Sequence, residues 1–148
     1  MTSEPKQHEL KPLQSEADWN IYHRIREDIL WKGRGLQTPY NRNHPDEYKP
    51  EFEPLLLLFK GNPIGTVRVD KTSNGLGIRL VAIEADVQRR GHGSALMTLI
   101  EERAVTSGIT ILEVNSAKES VGFWEAVGYS LIDDAHREFT LLRKQLSS

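Results

Sequence analysis

Apolar positions recur along this chain with two different periods. Ile21, Ile25 and Ile29 repeat every fourth residue behind Ser15-Glu16-Ala17-Asp18, an N-cap followed by an acid at the third helical position. A helix over about Glu16 to Trp31 is predicted. Leu55 to Lys60 is an apolar run, Gly61-Asn62-Pro63 reads as a turn, and Ile64 to Val69 alternates with β-branched residues, so an antiparallel hairpin follows. Thr72-Ser73-Asn74-Gly75 then turns the chain into a strand from Gly77 to Glu84. Leu96, Leu99 and Ile100 return to helical spacing, which predicts a helix from about Gly91 to Ser107, stopped by Gly108 at the left-handed C′ position.

Ile109 to Val114 is the next strand, and the intervening helix requires it to run parallel to the last one. Ser116 and Glu119 form a capping-box pattern ahead of a helix from Ala117 to Val127, which Gly128 ends. Tyr129 to Asp133 and Arg137 to Arg143 read as a closing hairpin around Asp134-Ala135. Before all of these, His8 to Leu13 is a candidate first strand behind a polar, frayed tail of about seven residues. Leu36 to Pro54, rich in Pro, Asn, Tyr and charge, is too long for a passive connector. It reads as a substrate-side lid holding a short helix near Asp46 to Lys49.

The 148 residues suit a single domain. Composition narrows the class further: 38% hydrophobic and 27% charged residues is ordinary globular usage, and a net charge of −2 argues against a general nucleic-acid binder. With no cysteine there is no disulfide framework or thiol nucleophile, and the five histidines are not spaced as metal ligands, so no metal site is expected. Neither a signal-peptide core nor a run of about twenty apolar residues is present, so no membrane association is expected and a cytoplasmic location is the default.

The chemistry concentrates between Leu80 and Arg103, where a buried strand enters a helix through Gln88-Arg89-Arg90-Gly91-His92-Gly93. N–H groups at a helix start have no helical partner and the helix dipole favours anions there, so the loop suits phosphate. It is not a nucleotide P-loop, because Ser94 and Ala95 stand where Lys and Ser/Thr are needed. Nor is it a dinucleotide fingerprint, because the third glycine position is Leu96.

The remaining pattern, Gln/Arg-x-x-Gly-x-Gly/Ala behind the strand Val81-Ala82-Ile83, resembles the coenzyme A loop of the GNAT superfamily of N-acetyltransferases. Phe123-Trp124-Glu125-Ala126-Val127-Gly128-Tyr129 is similar to that family's Phe-Tyr-x-x-x-Gly-Phe, and the matching segments span about Ile64 to Arg143. The resemblance implies an α/β (mixed α+β) fold, with about seven strands flanked by about four helices. It also implies acetyl-CoA as co-substrate, a small-molecule or peptide amine as acceptor and, by family analogy, a homodimer.

By the same resemblance, main-chain groups near Ala82 and Ile83 bind the pantetheine arm between splayed parallel strands. N–H groups of Arg89, Arg90, Gly91, His92, Gly93 and Ser94 bind the pyrophosphate, with Gln88 a further cofactor-binding position and the side chains of Arg89, Arg90 and His92 either attracting phosphate or merely solvated. An amine must lose a proton before it attacks, and Glu84, then Glu113, are the candidate bases; both also read as strand-end charges. Trp124 stands where many members have a tyrosine that protonates the leaving thiolate, and indole N–H is no acid at neutral pH. Either Ser120 or Tyr129 substitutes, or no acid is used. The family's asparagine is replaced by Ala117, with Asn115 or Lys118 as compensating candidates. The rival readings are a non-catalytic acyl-CoA sensor of the same fold and an interaction domain whose glycine loop only turns a corner.

Overall fold

A computed structural model describes residues 7–32, 40–45, 49–73, 75–116, 118–133 and 140–146. The chain forms a seven-stranded mixed sheet in the order β1-β2-β3-β4-β5-β7-β6. Its strands are β1 (His8–Pro12), β2 (Phe52–Phe59), β3 (Asn62–Lys71), β4 (Leu76–Ile83), β5 (Ile111–Ser116), β6 (Ser130–Asp133) and β7 (Thr140–Gln145). Among the described residues there are three α-helices, α1 (Glu16–Arg26), α2 (His92–Thr106) and α3 (Val121–Ala126). The short helix expected near Asp46 to Lys49 falls largely outside the described residues, as do parts of the expected lid and the tip of the closing hairpin.

Local chemistry explains where the elements begin and end. Ser15 Oγ accepts from the Asp18 N–H at 3.1 Å, and the Asp18 carboxylate accepts from Gln14 N–H at 3.0 Å, so the start of α1 is capped in both directions. The hydrogen bond from Gln14 is the main reason the Asp18 carboxyl lies below its usual pKa. Past Arg26 the helix widens into a π-helical stretch, Glu27–Lys32, where a continuous α-helix is predicted. A four-residue repeat drifts about 40° per step on an α-helix of 3.6 residues per turn. The wider turn offsets that drift and leaves Ile29 and Leu30 against the sheet with Ile25.

Both later helices end in a Schellman motif. Gly108 and Gly128 are left-handed, at φ 78° and 102°, and Ile109 and Tyr129 N–H reach back to the carbonyls of Ala104 (2.8 Å) and Trp124 (3.0 Å). At the other end of the second segment, Ser116 is the last residue of β5 and Ser120 is the N-cap of α3, so the helix opens later than the capping-box pattern indicates. The first hairpin also turns elsewhere than predicted, on Lys60 and Gly61. Both are left-handed, as a two-residue type I′ loop requires, which frees Asn62 and Pro63 to join β3.

The sheet has two unlike faces. On one, Leu96, Met97, Ile100 and Ala104 of α2 and Trp124 of α3 close over Val67, Val69, Ile78, Leu112, Val114 and Leu142. On the other, α1 and its π-helical extension cover Leu80 and Ala82 through Ile21, Ile25, Ile29 and Leu30. No described helix is long and apolar enough to cross a membrane.

Candidate active site

Strands β4 and β5 pair in parallel at only three positions, Leu76↔Leu112, Gly77↔Glu113 and Ile78↔Val114. Beyond them β4 runs on through Ile83 bonded to β3 alone, while β5 runs on through Ser116 bonded to β7. A cleft therefore opens between Arg79–Ile83 and Asn115–Ser116. Its cause is visible in β4: two residues, Leu80 and Val81, stand opposite the single Val67 of β3, and Leu80 is left-handed at φ 55°. Such a bulge sharpens the local twist and turns the strand away from its neighbour.

The cleft leads to the glycine loop. A 3₁₀ turn, Ala85–Val87, follows β4, and the Gln88 side-chain amide closes it by donating to the Ile83 carbonyl at 2.8 Å. Arg89 at φ 65° and Gly91 at φ 85° are both left-handed, a conformation that curls successive N–H groups toward one point. The first helical hydrogen bond of α2 is Ala95 N–H to Gly91 O at 3.0 Å. No described residue accepts from the N–H groups of Gly91, His92, Gly93 and Ser94. Main-chain donors thus converge at the end of an open strand edge, an arrangement that fits a diphosphate joined to an extended amide-bearing arm.

The side chains around this frame divide into those at the cleft and those in the core. Arg89 and Arg90 are exposed. His92 is buried instead: its Nδ1 lies 2.8 Å from His8 Nε2 and its ring packs at 4.7 Å against Phe59, so only its main chain is left to the loop. Gly93 lies against α3, since a Cβ there would come within 3.2 Å of the half-exposed Phe123 ring. Phe123, beside the loop, was not among the residues the sequence singles out as site residues, although it belongs to the quoted motif.

Trp124 and Tyr129 pack against each other at 5.2 Å inside the core. Among the described residues the buried Tyr129 hydroxyl has no hydrogen-bond partner, and burial first, then the Glu101 charge, pushes its pKa far above the ordinary value. Ser120 stands at the start of α3, and Asn115 is exposed on β5 just past its last pairing with β4.

The two candidate carboxylates lie at opposite ends of the cleft. Glu84 follows β4 and accepts from Arg24 Nη1 of α1 at 3.3 Å. Glu113 sits at the closed end, buried, paired with Arg143 Nη2 at 3.1 Å. It belongs to a row the sequence did not announce: Phe52, Asp70, Gly77, Glu113 and Arg143 are in register across five strands. Paired residues share a face of a sheet, and their neighbours Ile78 and Val114 point into the α2 side, so this row faces the α1 side.

The family model described as an acetyltransferase (GNAT) domain matches residues 31–143. Curated protein sequences give no significant match. Among solved structures, a candidate N-acetyltransferase from Lactobacillus plantarum superimposes with a TM-score of 0.77 at 21% identity, over 96% of this chain and 100% of that one. The PaiA N-acetyltransferase from Thermoplasma acidophilum, solved with coenzyme A, gives 0.74 at 16% identity over 95% and 99%. The ribosomal-protein-S18-alanine N-acetyltransferase from Escherichia coli gives 0.73 at 14% identity over 95% of both chains. At these identities the likeness speaks for the fold, and the domain match, reaching from the π-helical stretch to β7, speaks for kinship: the chain belongs to the GNAT family of acetyltransferases.

Proposed function

We propose that the protein is an acetyl-CoA-dependent N-acetyltransferase acting on a primary amine by direct attack within a ternary complex. The observation that carries this reading is the parting of β4 and β5 after Ile78 and Val114, in line with the unpaired amides at the start of α2. Acetyl-CoA supplies the acyl group as a thioester. Main-chain groups near Ala82 and Ile83 hold the pantetheine arm, and amides from Arg89 to Ser94 hold the pyrophosphate.

Glu84 takes the proton from the ammonium, directly or through a water, so that the nitrogen attacks neutral. Glu113, engaged by Arg143, is the second candidate. An N–H near Ile83 stabilises the charge that develops on the carbonyl oxygen. No side chain protonates the leaving thiolate. Trp124 is not an acid, and the Tyr129 hydroxyl lies in the core. A thiol of ordinary pKa, about 8.5 for cysteine, leaves without help.

The same lack of an acid favours the second reading, an acyl-CoA sensor without turnover. Two measurements separate them. Acetyl-CoA at a hundred times its Kd adds about 2.7 kcal/mol, or roughly 5–10 °C in Tm for a domain of this size. Thiol release is then followed across polyamines, aminoglycosides, amino acids and peptide N-termini. No thermal shift sinks both readings, and a shift with silence across the panel leaves the sensor.

A further inference from the structure

Resting on the transferase reading, we propose that Arg79 binds a carboxylate on the acceptor, so that the substrate is an amine that also bears a carboxylate, such as an amino acid. Arg79 is the first residue of β4 beyond the last pairing with β5, and the next residue is the bulged Leu80. It therefore stands at the apex of the cleft. The register places it on the α1 face, because it pairs with Arg68, two residues before Asp70 of the buried row.

The guanidinium lies in a slot made by a missing side chain. A Cβ on Gly77 would come within 2.7 to 2.9 Å of Arg79 Nη2, Cζ and Nη1, so glycine at that position is what lets the fork fold back over the strand. There it lies in the field of both Asp70 and Glu113, and each of those carboxylates is hydrogen-bonded to another arginine. Asp70 is gripped by Arg68 through both oxygens, at 2.8 and 2.9 Å, and Glu113 is bonded to Arg143 at 3.1 Å. Arg79 comes no nearer to Asp70 than 3.9 Å, and the one hydrogen bond it makes among the described residues is a 3.4 Å contact to the Ile78 carbonyl.

Among the described residues this band holds three guanidinium groups, Arg68, Arg79 and Arg143, against two carboxylates, Asp70 and Glu113. Of the three, Arg79 is the one with no hydrogen bond to a carboxylate among the described residues. The Arg79 side chain is a quarter exposed, enough to meet a ligand and little enough to be costly without one. A carboxylate is the planar monoanion that such a fork accepts with two parallel hydrogen bonds.

Acetyl-CoA binding is measured first by calorimetry, and its absence would sink the transferase reading itself. Turnover is then compared on matched pairs: each α-amino acid beside its carboxamide, and 4-aminobutyrate and 6-aminohexanoate beside theirs. The expected result is a kcat/KM at least about 10-fold higher for the carboxylate member of the preferred pair, the loss typical of a charge-assisted hydrogen bond. Arg79→Gln should erase that ratio, with the loss falling mainly on the carboxylate member and acetyl-CoA affinity retained. Arg79→Lys, which keeps the charge but not the fork, should retain part of it.

A merely structural Arg79 would instead lower both members of each pair together. Equal wild-type rates within every pair, or a parallel loss in Arg79→Gln, overturns the inference. If acetyl-CoA binds but nothing turns over, the same comparison is made by calorimetry with N-acetylated amino acids and their amides on the coenzyme-A-loaded protein. No preference for the acids there overturns it equally.

Discussion

Replacing Gly75 by alanine tests whether the closed end of the cleft is as tight as the structure holds. Gly75 precedes β4, and a Cβ on it would run into the Ile111 carbonyl oxygen and lie 3.0 Å from the carbonyl carbon and 3.2 Å from Ile111 Cβ. Two of these atoms are main chain, so no rotamer change relieves the clash and the two strands must move apart. Overpacking of this kind costs about 1–3 kcal/mol. The movement falls next to Leu76↔Leu112, the first of only three pairings that join β4 to β5. Loosening one such hydrogen bond adds about 1 kcal/mol.

A destabilisation of about 2–4 kcal/mol follows, which at roughly 2–4 °C per kcal/mol lowers Tm by about 5–15 °C. Urea denaturation gives the free energy, and an unchanged m-value shows that the unfolded reference is the same. Gly122→Ala is the control: nothing lies within 4 Å of a Cβ there, and the residue sits in α3, so the variant should gain about 0.4–1 kcal/mol. If Gly75→Ala stays within about 0.5 kcal/mol of the parent, the strands are not packed there as described and the three-pairing account of the cleft fails with it.

Four further outcomes are expected. Glu84→Gln should lower turnover with acetyl-CoA affinity nearly unchanged; an unaltered kcat removes Glu84 as the base. Gly93→Trp should abolish coenzyme affinity, since even a Cβ there reaches Phe123 at 3.2 Å and the indole would occupy the approach to the loop amides; unchanged binding moves the diphosphate elsewhere. Tyr129→Phe deletes a buried hydroxyl that has no partner among the described residues, so stability should hold or rise by up to about 1 kcal/mol with kcat intact; a large fall in kcat would restore Tyr129 as the acid. Burial, and then the charge of His92, hold the His8 pKa below 6.5, so the unfolded chain takes up the extra proton. This contribution is complete above that pH and is lost as pH falls from there through the lower pKa of the folded state. His8→Phe should flatten the decline in stability as pH falls below about 6.5, and an identical slope in the variant refutes the assignment.

What the sequence made legible was whatever depends on neighbours along the chain. The Ser15 cap, the Gly108 and Gly128 stops and the parallel placement of β5 are set by local patterns, and each is found in the structure. Features set by contacts across the fold were not legible. Lys60 is left-handed because the hairpin must close in two residues, and Leu80 because β4 must leave β5; neither residue type advertises that conformation. His92 sits inside a loop signature, and only its burial against His8 and Phe59, distant in sequence, shows that its ring serves packing. Arg79 reads as one more strand charge until the register sets it over Gly77.

The register also explains why one strand serves two purposes. Up to Ile78, β4 is bonded on both edges, and its outward positions belong to a buried charged row that closes the cleft floor. Beyond the bulge, one edge is given up and Leu80 and Ala82 turn to the cover of α1 instead. The two left-handed residues on this path, Leu80 at the bulge and Arg89 in the loop, are non-glycine, and each holds a sparsely populated conformation costing on the order of 1–2 kcal/mol. Neither residue is replaced by the glycine that would remove the strain: the Leu80 side chain packs against the cover of α1, and Arg89 begins the turn that leads into the glycine loop.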